Sequence, residues 1–429
     1  MWYLPVVHRL KRLFANTKDV ENLTWHADVR NKDGMLRHAA DSPQWKHIDT
    51  TFPNFSRETR NLRLGLCTDG INPFDVYLAP LIEDLKKLWD EGEPVYDEYR
   101  KKKFTLRAMI FCTINDFPAY GNLSSHVVKG YKACPICEDD TKALQLKTSK
   151  KDINCVFGNP YKSLGDKLCY KKRSAFWILP YWEHLSVRHC INVMHVEKNV
   201  FDSLIGTLLN MPGKTKDGKK ARNDMEKKVL CESLHNVKVP SGYSSNIRNL
   251  VSLKDLKLVG LNSHDCHTLV QEILPIAIKL KQVRQVIIRL CLFFKAICSR
   301  VVDPGKLDSL QSQLIVTLCQ FEMYFPPSFF DIMVHLVVHL VREIKLCGPV
   351  YLRYMYPFER NMGDLKGYVR NRSRLGSIVE GYLTDEVLRY FIEHLEDLET
   401  LGLPKPRHNE ERLQGFGTVG RKVLNLSRE

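Results

Sequence analysis

Between Leu62 and Trp89 the chain reads LRLGLCTDGINPFDVYLAPLIEDLKKLW: an alternating apolar run stops at Asp69 and gives way to an amphipathic helical pattern. A second run, Phe104 to Asp116 (FTLRAMIFCTIND), has apolar residues on both faces, as a central strand does, and also ends on an acid. Two strands with a helix between them predict an α/β unit. An acid at the mouth of a buried strand is where a metal-dependent phosphoryl-transfer site holds a carboxylate, because the rigid strand fixes it where two ions can share it. The plainer role for Asp69 and Asp116 is that of turn or cap residues after a strand.

The remaining pattern divides the chain. Residues 1–60 read as an irregular leader with Trp2, Trp25 and Trp45 as packing platforms, and its opening MWYLPVVHRLKRLF reads as a buried strand or helix rather than a signal peptide. Residues 61–212 hold the strand and helix unit, a CxxC segment, and an aromatic stretch leading into a helix with Val193, Val196, Val200, Leu204, Leu208 and Leu209 on one face. A basic linker follows at 213–245. Residues 246–400 are mainly helical: VRQVIIRLCLFFKAICSRV, LDSLQSQLIVTLCQFEMYF, SFFDIMVHLVVHLVREIKL and TDEVLRYFIEHLEDLETL each span at least four turns. A polar tail occupies 401–429.

At 429 residues the chain is too long for one small core, and 44% hydrophobic with 10% aromatic residues argues against disorder over most of it. No apolar run reaches the ~20 residues of a membrane span. The net charge of +15 favours a polyanionic partner. Basic clusters at Arg9–Arg12, Arg100–Lys103, Lys171–Arg173, Lys214–Arg222 and Arg370–Arg374 could line double-stranded DNA, or could be solvated helix ends and loops. GKTKDGKKAR is no phosphate-binding loop, since Gly206 and Gly213 lack the required spacing.

Thirteen cysteines without a secretory signal point to thiols as core residues or metal ligands. Cys67, Cys112, Cys291, Cys298 and Cys319 lie in apolar segments and read as core. Cys134 and Cys137 form a CxxC, whose spacing lets two thiolates bind one tetrahedral Zn²⁺ if two further ligands exist. His335 and His339 are spaced i,i+4, which suits a metal, but amid Val, Leu and Ile they read as packed core histidines.

LGLCTDGINPF, DVYLAPLIEDLKKLW, FTLRAMIFCTINDFPAYGNLS, KACPICEDDTKA, KKRSAFWILPYWEHL and INVMHVEKNVFDSLIGTLLN resemble, in this order, the transposase of plant CACTA (En/Spm-type) DNA transposons. The stretch from SHDCHTLVQEILPIAI to SIVEGYL resembles the uncharacterised domain that follows it in those proteins. The resemblance implies an RNase-H-like domain of the DDE type, so the fold expected is α/β plus α: a degraded RNase-H-like domain, then a mainly helical one. It implies nuclear localisation, double-stranded DNA as partner, a homo-oligomer or another transposon-encoded protein as further partner, and Mg²⁺ or Mn²⁺ held by three acids. Asp69 and Asp116 would be the first two. The third is Glu197, in the MHVEKN helix, or Glu380, in SIVEGYL. For zinc, the family's downstream Cys-His pair is half kept: Cys155 matches the Cys, but Val156 stands where the His would be, leaving Cys169 or His126 as substitutes.

Three departures bear on activity. The family continues from GINPF through two more core strands, yet here Phe74 is followed at once by Asp75, and at ~3.3 Å per residue no junction of zero residues can supply them. An Asp expected three residues before His195 is Asn192, which carries no charge to hold a metal or imidazole partner. The acid before SIVEGYL is also absent. Three readings stay open: a transposase-like protein inactive in strand cleavage, a non-catalytic nuclear DNA- or protein-binding factor derived from one, and a gene-model fragment.

Overall fold

The computed structural model describes residues 3–68, 74–128, 132–138, 143–145, 152–154, 174–209, 211, 224–237, 246–278, 283–369 and 376–394. At its centre is a parallel sheet of three strands, in the order Leu62–Thr68, Ala108–Asn115, His189–Ile191. The register pairs Thr68 with Asn115 and Asn115 with Ile191, so the three strands finish level at one end. Burial follows this order: the central strand is buried at all eight positions, whereas the edge strand Leu62–Thr68 is mostly half-covered.

Parallel neighbours require a crossover. Here it consists of the helix Phe74–Asp90 and an antiparallel hairpin, Glu93–Asp97 with Lys102–Leu106. The helix lays Ile82 and Leu85 against Met109 and Ile110 of the central strand, with Tyr181 and Trp182 closing the same apolar cluster. The Phe104–Asp116 run is therefore two strands: it breaks at Arg107, whose amide donates to the Asn61 side chain (2.7 Å) and whose carbonyl receives the Leu62 amide (3.0 Å). Periodicity could not locate that break, because both strands are apolar up to it.

The leader is helical rather than irregular. Helices Val6–Leu13, Thr17–Asp28 and Pro43–Thr51 precede the sheet. Leu10, Phe14 and Val20 pack with Val95 and Leu106 of the hairpin. Trp45 is a platform: the Arg63 guanidinium lies 4.0 Å from its ring centroid, and Phe111 of the central strand lies 5.7 Å away. Trp25 is exposed, and Trp2 lies outside the described residues. Gln44 fastens this leader to the sheet: its Nε2 donates to the carbonyls of Phe111 and Val187 (3.1 Å each), and its Oε1 accepts the Val187 amide (2.7 Å). With Gln44 only 1% exposed, Gln44→Ala strands three backbone groups. The expected loss is about 1–3 kcal/mol, read by urea unfolding; an unchanged midpoint would show these bonds to be energetically idle.

A second apolar cluster forms around the helix Val193–Leu209, whose Val193, Val196, Val200, Leu204, Leu208 and Leu209 are all buried. It includes Leu269 and Leu274, the helix Arg284–Ile297, the helix Leu307–Glu322 and Leu340, Val341 and Ile344. The run SFFDIMVHLVVHLVREIKL is split into Ile332–Val337 and Leu340–Cys347, with the break at Val338 and His339. Among the cysteines expected in the core, Cys112 and Cys291 are buried, Cys67 and Cys298 are half-buried, and Cys319 is exposed; among the described residues no cysteine is in a disulfide. Among the described residues no helix is long and apolar enough to cross a membrane.

The chain divides into two compact units, one of Tyr3–Val237 with Ile247–Met355 and the other of Lys238–Asn246 with Tyr356–Glu429. Within the second, the helices Tyr356–Gly367 and Gly376–His394 are described. A Cβ on Gly381 would lie 2.7 Å from the Tyr368 ring, so only glycine lets that helix pass so near.

Candidate metal centre and strand ends

Cys134 and Cys137 lie in a tight turn, where Cys134 is buried and Cys137 half-buried. The Cys137 amide donates to the Cys134 sulfur at 3.4 Å, which turns both thiols to one side. His335 and His339 come from the broken helix some two hundred residues later, and their Nε2 atoms are 3.1 Å apart. The Cys134 sulfur is 3.4 Å from His339 Nε2; the Cys137 sulfur is 3.4 Å from His335 Nε2 and 3.3 Å from His339 Nε2. All four donor atoms lie within 4.8 Å of one another.

Those separations can be compared with the edges of a zinc tetrahedron. With Zn–S near 2.3 Å and Zn–N near 2.05 Å, tetrahedral angles put nitrogen about 3.55 Å from sulfur and nitrogens about 3.35 Å apart. The observed edges fall within a few tenths of an ångström. Two soft thiolates with two imidazoles are a Zn²⁺ donor set, and four protein ligands leave no open position for water, so the site is structural in kind rather than catalytic. The charge state agrees: Cys137 is held well below the usual thiol range, first by the hydrogen bond from Cys134 and then by the two histidines, while Cys134 keeps the shared proton and is pushed up. Metal would displace that proton.

His335 and His339 are thus brought to the CxxC and are not simply packed core residues. Cys155 and Cys169 lie outside the described residues, and His126, fully buried, is no member of the cluster. The histidine spacing was visible in the chain. What no local pattern could reveal was its partner, because the two halves are separated by some two hundred positions.

The level ends of the three strands form the second site. Asp116 follows the central strand, and its Oδ1 accepts the Ala119 amide (2.9 Å), capping the helix Phe117–Ser124. Asp69 lies outside the described residues, but Thr68 before it is tied to Asn115: its amide and hydroxyl both donate to Asn115 Oδ1, at 3.2 and 2.8 Å. Asn115 Nδ2 donates in turn to Thr113 Oγ1 (2.8 Å), which lies 2.8 Å from His189 Nδ1. This chain of polar side chains, buried except at Thr68, links all three strands at their level ends. Burial holds the His189 imidazole neutral, pushed down to about 3.

Asn192 follows the third strand and receives the His195 amide (3.4 Å), so it caps the helix Val193–Leu209 without charge. His195, half-buried, shares a cavity of about 10 Å³ with Asn115, Asn192 and Tyr120. Burial lowers its proton affinity, while the carboxylate of Asp116 acts in the opposite direction. Glu197 is elsewhere. At 100° per residue it stands about 200° around the helix from His195, and it is 1% exposed, bonded to His267 Nδ1 (2.7 Å) and Gln271 Nε2 (3.2 Å). The structure brings Asp116, Asn192 and His195 together and turns Glu197 away from them. Glu380 is exposed on the helix Gly376–His394 of the other unit.

Of the basic clusters, Lys171–Arg173, Lys214–Arg222 and Arg370–Arg374 lie outside the described residues. In the hairpin, Arg100 pairs with Asp28 and Asp97, and Lys101 with Glu98, while Lys102 and Lys103 are exposed. In the first helix Lys11 pairs with Glu93.

No curated protein and no solved structure matches the chain. Two family profiles do. A domain of unknown function, DUF4218, matches residues 297–409 and so includes both metal-site histidines. The profile described as transposase family tnp2 matches residues 33–75 and 74–160, two pieces that abut at the Phe74–Asp75 junction. The chain therefore joins a region similar to transposase family tnp2, which holds the CxxC and the first two strands, to a DUF4218 region, and it is transposase-like.

Proposed function

We propose that the chain descends from a CACTA-type plant transposase of the DDE class and acts in the nucleus as a zinc-stabilised DNA-binding protein that no longer cuts DNA. The observation that carries this reading is the level finish of the three parallel strands. Their register sets Thr68 beside Asn115 and Asn115 beside Ile191, so the strands end together at one edge of the sheet, where Asp116 and Asn192 follow the second and third. In this reading Asp69 and Asp116 are the ancestral Mg²⁺ or Mn²⁺ ligands. Two facts argue for loss of cleavage. The third strand is followed by an uncharged amide, Asn192, and Glu197 is committed to His267 on the far side of its helix. A two-metal centre needs carboxylates from separate elements to converge, and errors of ~1 Å can cost on the order of 10²-fold in rate.

The net charge of +15 supports weak, sequence-tolerant binding to double-stranded DNA, weakening steeply as salt rises. The test is strand cleavage with Mg²⁺ or Mn²⁺ on DNA carrying CACTA-type terminal repeats, alongside the Asp69→Ala, Asp116→Ala double variant. We expect no metal-dependent product from either protein. Cleavage by the natural chain that the double variant lacks would make it a working transposase.

A further inference from the structure

A cavity of about 170 Å³ opens between the CPIC turn, the helix Phe117–Ser124 and the aromatic segment around Trp177 and Trp182. It is far smaller than the roughly 300–1,000 Å³ of pockets that enclose a whole cofactor, so it admits a group the size of one heterocyclic ring. Its rim is cationic. Arg188 is held in place by donating Nε to the Trp182 carbonyl (2.9 Å) and Nη2 to the Glu183 carbonyl (3.0 Å), and its guanidinium sits 4.7 Å from the Trp177 ring centroid. Those bonds leave Nη1 uncommitted among the described residues. Arg342 is exposed and, among the described residues, makes no ion pair or hydrogen bond.

The two carboxylates on the wall do not cancel that charge equally. Glu343 is already bound by the Ile191 amide and by Arg353, while Glu138 is exposed at the rim. Tyr120 lines this cavity and also the small one beside Asn115, Asn192 and His195, so the two are neighbours through one side chain.

We propose that this cavity receives one unpaired nucleotide of bound DNA, its base entering beside Trp177 and its phosphate held by Arg188 and Arg342. The chemistry is that of an aromatic platform next to a fixed guanidinium, Arg188, and an exposed one, Arg342: the indole offers a face on which a single-ring base can stack, and the arginines match phosphate in charge and geometry. A base lifted out of a duplex needs such a pocket to offset its lost stacking. The proposal rests on the DNA-binding reading above and adds where and in what form the DNA is held.

The experiment uses the full chain purified with zinc and two labelled duplexes that differ by one bulged, unpaired nucleotide, with binding followed by fluorescence anisotropy at low salt. The natural protein should prefer the bulged duplex by roughly 5- to 100-fold, the range that base–aromatic stacking provides. Trp177→Ala and, separately, Arg342→Ala should erase most of that preference while leaving the affinity for the paired duplex within about twofold; Trp177→Phe should restore much of it. Arg342 is on the surface, so its variant does not disturb the core, and retained zinc confirms an intact fold in each protein. Equal binding of both duplexes would overturn the pocket and leave DNA binding standing. A preference that persists in both variants would place the unpaired nucleotide elsewhere and overturn it too. Binding of neither duplex would remove both readings together.

Discussion

Purified in the presence of zinc, the protein should carry one tightly held ion per chain, and Cys137→Ser or His339→Ala should bring that content close to zero. Four of the six donor–donor edges already match a zinc tetrahedron within a few tenths of an ångström and all lie within 4.8 Å, so binding requires loss of the proton shared by the thiols and little rearrangement. A ligand that binds only the folded state at a free concentration ~1,000 times its dissociation constant adds about 4 kcal/mol to stability. Chelation, or removal of either ligand, should therefore lower the unfolding midpoint by roughly 5 °C. The loss should exceed that of an ordinary surface substitution, because the ion ties the CxxC turn to a helix some two hundred residues away and closes a long loop. Mass spectrometry of the native protein and a thermal scan with and without chelator decide it. Full zinc in either variant, or a midpoint indifferent to chelator, would refute the metal centre.

The second large effect is expected four residues beyond His339. Glu343 is 1% and Arg353 7% exposed, and they form a 3.2 Å ion pair in the interior. Both Glu343 oxygens lie 3.1 Å from the Ile191 amide at the end of the third strand, and Arg353 Nη2 donates to the Gly348 carbonyl at 3.2 Å. The Gly348 backbone, at φ +87°, abuts His38 so closely that a Cβ would meet the His38 carbonyl at 3.0 Å. Burial pushes the Glu343 carboxyl up to about 8, the buried Cys190 thiol acting in the same direction and Arg353 against it. Cys190 itself is held well below the usual thiol range by the hydrogen bonds of Cys112 and Cys347.

Arg353→Ala removes the donor to both Glu343 and the Gly348 carbonyl, and leaving buried acceptors unsatisfied costs about 1–3 kcal/mol each. Glu343→Gln keeps an acceptor for Ile191 and should cost less. Urea unfolding of the two variants provides the comparison, and an Arg353→Ala protein as stable as the natural one would show the pair to be dispensable. The pH dependence has a definite sign. A carboxyl whose folded value of about 8 exceeds its unfolded one near 4.5 contributes stability that is complete below the unfolded value. That contribution is lost progressively as pH rises through the folded one. Glu343→Gln should therefore flatten the decline in stability between about pH 4.5 and 8.

The sequence by itself determined the elements whose burial is periodic or continuous. The strand beginning at Leu62, the central strand ending at Asn115, the helix Val193–Leu209 with its six buried apolar positions, and three of the four long C-terminal helices were legible because each repeats a local rule over many residues. The junction at Phe74–Asp75 was marked only by comparison with the family that the chain resembles, and the tnp2 profile likewise matches in two pieces that meet there. The break at Arg107 and the break at His339 were not legible, since both sit inside unbroken apolar runs and arise from what the backbone must bond to. The helical leader was missed because its helices are short and draw their stability from packing on the hairpin and on Trp45. The candidate site shows the same division. A CxxC and an HxxxH are each ambiguous alone, and the tertiary fold made them one centre by laying the second apolar cluster against the turn that carries the thiols. It also separated His195 from Glu197, two residues apart in the chain but on opposite sides of one helix. Local physics fixed which segments are helix and strand, and long-range packing decided which side chains meet.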